Sequence, residues 1–114
     1  GETYNIGSEN EQANIDVVNL LCDIVDTRFA ESSKLGDQYP NSPCASKTSA
    51  RTLINFVEDR PGHDTRYAIN ASKISKGLGY APQENFDRGL NKTVDWYLDN
   101  QAWWEAILDR SFRD

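Results

Sequence analysis

Residues 58–70 read EDRPGHDTRYAIN, and they fix a turn in the middle of the chain. Pro61 locks its own φ and removes a backbone donor, while Gly62 tolerates positive φ, so the pair closes the backbone sharply. Apolar, β-prone LINFV precedes the turn and RYAI follows it. The pattern predicts two short strands, 52–57 and 66–69, joined by a charged loop. That loop gathers Arg60, His63 and Arg66 with Asp59 and Asp64, and His63 is the only histidine in the sequence. Such a grouping has two readings, an anion cradle or a solvated, salt-bridged turn, and the residues alone leave them even.

The rest of the composition limits what could occupy a cradle. The chain has 114 residues, the size of one domain, and scaling predicts burial of roughly two thirds of its unfolded surface. Its formal charge is −6, which would repel a long polyanion, so nucleic acid is not expected as a partner. A small anion held by a local pair of arginines remains compatible. No apolar run is long enough for a membrane span, and no charged-then-apolar leader is present. Cys22 and Cys44 have no metal-ligand spacing, and one histidine cannot complete a zinc site with them. Cys22 falls on a helical apolar stripe and is expected to be buried, while Cys44, in a polar segment, is expected to be a free surface thiol. The reading is a reduced, cytoplasmic protein.

Helical spacing organises both ends. Ile15, Val18, Cys22, Val25 and Phe29 recur at intervals of three and four, predicting a helix to about residue 29 with Asn14 as its N-cap. Residues 31–51 lack apolar periodicity and are expected to form a long mobile loop, or a lid. Asn70 is placed to cap a short helix over 71–78, stopped by Gly79. Asn85 opens a stronger helix bearing Phe86, Leu90, Val94 and Tyr97, and Gly89 inside it predicts close packing. Asn100 starts a last helix with Trp103, Trp104, Ile107 and Leu108, and the tryptophans, Trp96 included, are expected in the core. A strand-like run at 3–6 completes the expected fold class, mixed α/β, with a small sheet of short strands and three or four helices. A start at Gly1 that opens directly into a strand suggests a piece of something longer.

Several of these stretches together resemble the C-terminal part of the dTDP-glucose 4,6-dehydratases, which are extended short-chain dehydrogenases/reductases. The likeness is carried by GETYNIG at 1–7, NE at 10–11, Asn14, IDVV at 15–18, Cys22-Asp23 and Asp26. It continues with DRPGHD at 59–64, RYAI at 66–69, KIS at 73–75, LG at 78–79 and APQENFDRGLNKTVDWYL at 81–98. Ser8, Glu9, Thr65 and Asn70 depart from the family pattern.

The resemblance implies an enzyme that oxidises a nucleotide-bound sugar at C4 with NAD, eliminates water across C5–C6 and returns the hydride to C6. It also implies that Asn14, Arg60 and His63 contact the nucleotide diphosphate; the Gly62 backbone N–H can approach it with no side chain in the way, and Asp59, Pro61, Asp64 and Arg66 are expected to support them. Arginine's planar fork of donors suits diphosphate oxygens. The glycine-rich loop and Tyr-x-x-x-Lys pair of such enzymes are absent from this sequence. The expectation is therefore one substrate-binding lobe, 1–114, whose Rossmann half with its NAD lies elsewhere, inactive alone and prone to non-native self-association. A sibling nucleotide-sugar epimerase or decarboxylase, and a non-catalytic nucleotide-sugar-binding module, are the alternatives.

Overall fold

The computed structural model describes residues 1–8, 10–62 and 68–109. Among these residues five α-helices carry the fold: α1 (Asn14–Glu31), α2 (Ser33–Gln38), α3 (Ser72–Leu78), α4 (Phe86–Asp99) and α5 (Gln101–Leu108). Two 3-10 turns, Pro43–Ser46 and Ala50–Leu53, lie between α2 and α3. α1 is the organising element, and α2, both 3-10 turns and α4 all pack on it.

The expected α/β class with a small sheet is corrected here, because no strand forms among the described residues. A β-prone run becomes a strand only when a neighbour completes its ladder of N–H and C=O groups and gives its side chains a surface to cover. Neither condition is met. The run predicted over 52–57 begins inside the second 3-10 turn, where Ser49 Oγ accepts from Arg51 N at 3.2 Å. It then leaves Leu53, Phe56 and Val57 exposed, Phe56 at 83%. The run at 3–6 is held instead by one side chain of α3, Lys73. Lys73 Nζ donates to Glu2 Oε2 at 2.8 Å and to Thr3 O at 2.9 Å, and stands 5.0 Å from the centre of the Tyr4 ring. Residues 68 and 69 are not in a strand, and Arg66 and Tyr67 lie outside the described residues.

Segment 31–51, read from sequence as a loop, holds α2 and the Pro43–Ser46 turn. Ser42 caps that turn, its Oγ accepting from Cys44 N at 3.3 Å, and Lys47 ends it with φ 59°. Cys44 is buried, not a surface thiol, and its Sγ donates to Asp26 Oδ1 at 3.2 Å. Cys22 is buried as expected, and so is Ile24, which lies off the stripe seen in the sequence.

Helix termini follow the sequence more closely. Asn85 Oδ1 accepts from Arg88 N at 2.8 Å at the start of α4, and Gly79 ends α3 at φ 66°. Asn70 Oδ1 accepts from Ser72 N at 2.9 Å, one residue ahead of the formal cap Ala71. Asn14 is not a cap: it is the first residue of α1, preceded by Ala13, which offers no side-chain bond. Asn100 stands at the N-cap of α5 but turns its side chain backwards, donating from Nδ2 to Trp96 O at 2.7 Å and so closing α4.

α4 is tied to α1 by Arg28, whose Nε donates to Asp95 Oδ1 at 2.6 Å and whose second nitrogen reaches Asn91 Oδ1 at 3.1 Å. Tyr39 joins α2 to the C-terminal pair: its hydroxyl donates to Leu98 O at 2.7 Å, and its ring stacks on Trp104 at 6.3 Å. The tryptophan expectation needs correction. Trp104 is half-buried, but Trp96 and Trp103 meet edge to face at 5.0 Å on the outside, with Trp103 54% exposed.

Candidate functional site

Three of the four expected ligand contacts lie among the described residues, and all three are exposed. Asn14 opens α1 with its side chain in solvent. Arg60 stands on the turn, where its backbone N–H donates to Asp59 Oδ1 at 2.8 Å, an arrangement that anchors Asp59 to the turn. Gly62 has φ 74°, so the left-handed conformation anticipated from Pro61-Gly62 is present, and a Cβ there would meet nothing within 4 Å. Backbone conformation, and not crowding, is what calls for glycine at this point. His63, Asp64 and Arg66 lie outside the described residues. No hydrogen bond joins Asn14 to Arg60 or Gly62 among the described residues.

None of these three positions lines the cleft of about 580 Å³ that opens elsewhere on the chain. It is lined by Ser8, Asn10 and Glu11, just ahead of α1, and by Ala68, Ile69, Asn70 and Ser72, just after the loop. The segments that carry its two walls approach closely at Gly7, where a Cβ would stand 3.1 Å from Ile69. Two short-range bonds shape the polar rim: Asn10 N donates to Ser8 O at 2.7 Å, and Asn70 Oδ1 receives both Ser72 N and Ser72 Oγ. Such a wall of hydroxyls and amides, with the carboxylate of Glu11, can recognise a polar ligand through hydrogen bonds. Ser8, Asn10, Glu11 and Asn70 entered the sequence reading through the family likeness or as a helix cap, and none as a ligand contact, since short polar residues beside a turn carry no distinctive spacing.

Asp26, part of the family likeness in the sequence, has a bonding role that the sequence reading did not assign. It accepts Ser49 Oγ at 2.5 Å, Ala50 N at 2.7 Å and Cys44 Sγ at 3.2 Å, tying residues 44–50 to α1. The Ala50 and Ser49 bonds hold its carboxyl below the usual carboxylate range, against an opposing push from burial. Burial pushes the Cys22 and Cys44 thiols up, so neither is activated as a nucleophile. The signal was available: Asp26 lies four residues after Cys22, on the apolar side of α1, where an acid needs donors. Among the described residues no group of acids, histidine and cysteines is arranged to hold a metal ion. No helix among them is long and apolar enough to cross a membrane.

Comparison with known proteins gives the class. Residues 1–93 match the family model described as GDP-mannose 4,6 dehydratase, and the chain belongs to that family. Its relatives include a dTDP-glucose 4,6-dehydratase of Neisseria meningitidis serogroup B, 48% identical over 99% of this chain and 29% of the relative. A protein of the same description from Escherichia coli is 46% identical over 98% of this chain and 28% of its own length. Another, from Salmonella typhimurium, is 48% identical over 99% of this chain and 27% of its own length. The chain thus spans less than a third of the curated relatives it matches.

Proposed function

We propose that this chain is the nucleotide-sugar-binding portion of a dTDP-glucose 4,6-dehydratase, a cytoplasmic enzyme that converts dTDP-glucose to its 4-keto-6-deoxy product. The single observation carrying this reading is the near-complete coverage of the chain by proteins of that description at 46–48% identity. The exposed turn at 59–62, with Arg60 unpaired to any carboxylate among the described residues, is consistent with a seat for a diphosphate. Arg60 supplies a fork of charged donors, Gly62 offers a backbone N–H free of a side chain, and Asn14 offers an amide. The polar cleft lined by Ser8, Asn10 and Asn70 would take the uncharged part of the ligand.

NAD does not fit the residues present. The sequence has no glycine-rich phosphate loop, and the described residues form no strand–helix unit that could hold one. In this reading the cofactor belongs to the remainder of the enzyme, and the chain's own contribution is to bind and orient the nucleotide.

The surface supports a lobe that needs a partner. The accessible area is 9152 Å², against about 6,300 Å² for a compact chain of the same mass. The radius of gyration is 18.0 Å, against about 13 Å by size scaling. Burial is therefore nearer half of the unfolded surface than the two thirds anticipated from length.

The test is turnover by the enzyme carrying this chain, offered dTDP-glucose, UDP-glucose and GDP-mannose in parallel and read by mass spectrometry for loss of one water. Preferential conversion of dTDP-glucose is the expected result. Equal conversion of all three would remove the assignment to thymidine nucleotides.

A further inference from the structure

Residues 49–54 run along α1 in the opposite direction to the helix, and the side chains that set their course can be read contact by contact. Ser49 and Ala50 bond Asp26. Arg51 then reaches back along the helix: its guanidinium bridges to Asp23, with one nitrogen 2.8 Å from Oδ2, and its Nε donates to Asn19 Oδ1 at 3.3 Å. Leu53 and Ile54 follow, closing a small cavity with Val18, Leu21, Cys22 and Val25 of the helix. Arg51's partners thus lie nearer the N-terminal end of α1 than the Asp26 that holds Ser49 and Ala50. At a rise of 1.5 Å per residue, Asp26 to Asn19 is about 10 Å, and Asn14 lies about 8 Å beyond. The six residues from Ile54 to Arg60 can span up to about 20 Å, enough to bring Arg60 to that end.

We propose that Arg51 is a positioning residue of the nucleotide site: by bonding Asp23 and Asn19 together it sets where 49–54 lies along α1, and so delivers Arg60 to the end of the helix that bears Asn14. This rests on the reading that Arg60 and Asn14 contact the nucleotide. Asn19 and Asp23 are four residues apart and share a helix face, and a guanidinium fork engages both, whereas an ammonium offers one compact point of charge. The side chains of Arg51 and Asp23 are 44% and 53% exposed, so this ion pair is a weak stabiliser. What the pair supplies is direction. Asp26 fixes the start of the run, and Arg51 decides which way it goes.

The experiment uses the full-length enzyme carrying this chain, with dTDP as the binding probe in calorimetry and steady-state kinetics on dTDP-glucose. Arg51→Ala is expected to weaken dTDP and raise KM roughly five- to tenfold, with a much smaller change in kcat, the scale of a coupling carried through an intermediary residue. Arg51→Lys should recover less than half of that loss. The double variant Arg51→Ala with Arg60→Ala should bind dTDP no more weakly than Arg60→Ala alone, because Arg51 acts through Arg60. Asp23→Asn provides a second break in the same link should Arg51→Ala fold poorly. If Arg60→Ala weakens dTDP while Arg51→Ala and Asp23→Asn leave it unchanged, or if the double variant is additive, the positioning role is overturned and the binding reading stands. If Arg60→Ala itself leaves dTDP unchanged, the binding reading falls first.

Discussion

Two side chains carry opposite kinds of consequence, Arg60 through a ligand and Asp26 through the fold. Arg60 projects from an exposed turn, and its removal should scarcely disturb packing. In the full-length enzyme, Arg60→Ala is expected to weaken dTDP by about 1.5–3 kcal/mol, typical of a hydrogen bond to a charged group. Calorimetry on the two proteins at one salt concentration checks this, and unchanged affinity would retire the role. Asp26 answers to pH. Its folded carboxyl lies below its unfolded value of about 3.9, so it stabilises the fold above that value and the contribution disappears as pH falls through the folded pKa. Asp26→Asn should therefore lower stability at pH 7 by about 1–2 kcal/mol, the range for charged hydrogen bonds reduced for partial exposure. The gap from the parent chain should close on acidification below about pH 4. Urea midpoints at pH 7 and pH 3 measure it, and a gap independent of pH would show that the three bonds do not depend on charge.

At the scale of elements, α4 offers the cleanest test because its start and its interior were both readable in advance. Asn85→Ala removes the bond to Arg88 N and is expected to cost about 1 kcal/mol, seen as a lower melting temperature. Gly89 behaves otherwise than the sequence suggested. A Cβ there would meet Glu84 Cβ at 4.0 Å, an ordinary contact, so Gly89→Ala should stabilise the 114-residue chain by about 0.5–1 kcal/mol through helix propensity. A loss of stability would mean that this face of α4 is more crowded than it stands here. Helices were legible because each carries its own periodicity and stop signals: Gly79 in the left-handed conformation, Asn85 at a cap, the 3-4-3-4 stripe of α1. Strands were not, because a strand is a property of two segments. LINFV and TYNI have the composition for pleated structure, yet nothing in either names the neighbour that would complete it. The turn at Pro61-Gly62 was legible for the opposite reason, since its geometry is local to two residues. The bonding roles of Asp26 and Arg51 were not legible because their partners lie 18–32 residues away.

For the molecule as a whole, the balance between core and surface decides how it behaves in solution. Among the described residues the buried apolar ones are few and mostly small: Cys22, Ile24, Cys44, Ala71, Ile74 and Val94. Against these stand Phe56 and Val57 beyond the second 3-10 turn and Trp96, Tyr97, Trp103 and Leu108 on α4 and α5, the last 75% exposed. Single exposed apolar side chains are normal, but two aromatic groups in edge contact on an open helix pair make a patch that water covers at a cost. The formal charge of −6 opposes association at low ionic strength and is screened within about 8 Å at physiological salt. The 114-residue chain is therefore expected to self-associate increasingly with protein and salt concentration. Sedimentation velocity across a concentration series at low and physiological salt measures this. Trp103→Lys should shift the distribution towards monomer if α4 and α5 form the contact, while an unchanged distribution would move the contact to the Phe56–Val57 run. A monomer at every concentration and salt would mean that the exposed aromatics are shielded by one another well enough to need no partner.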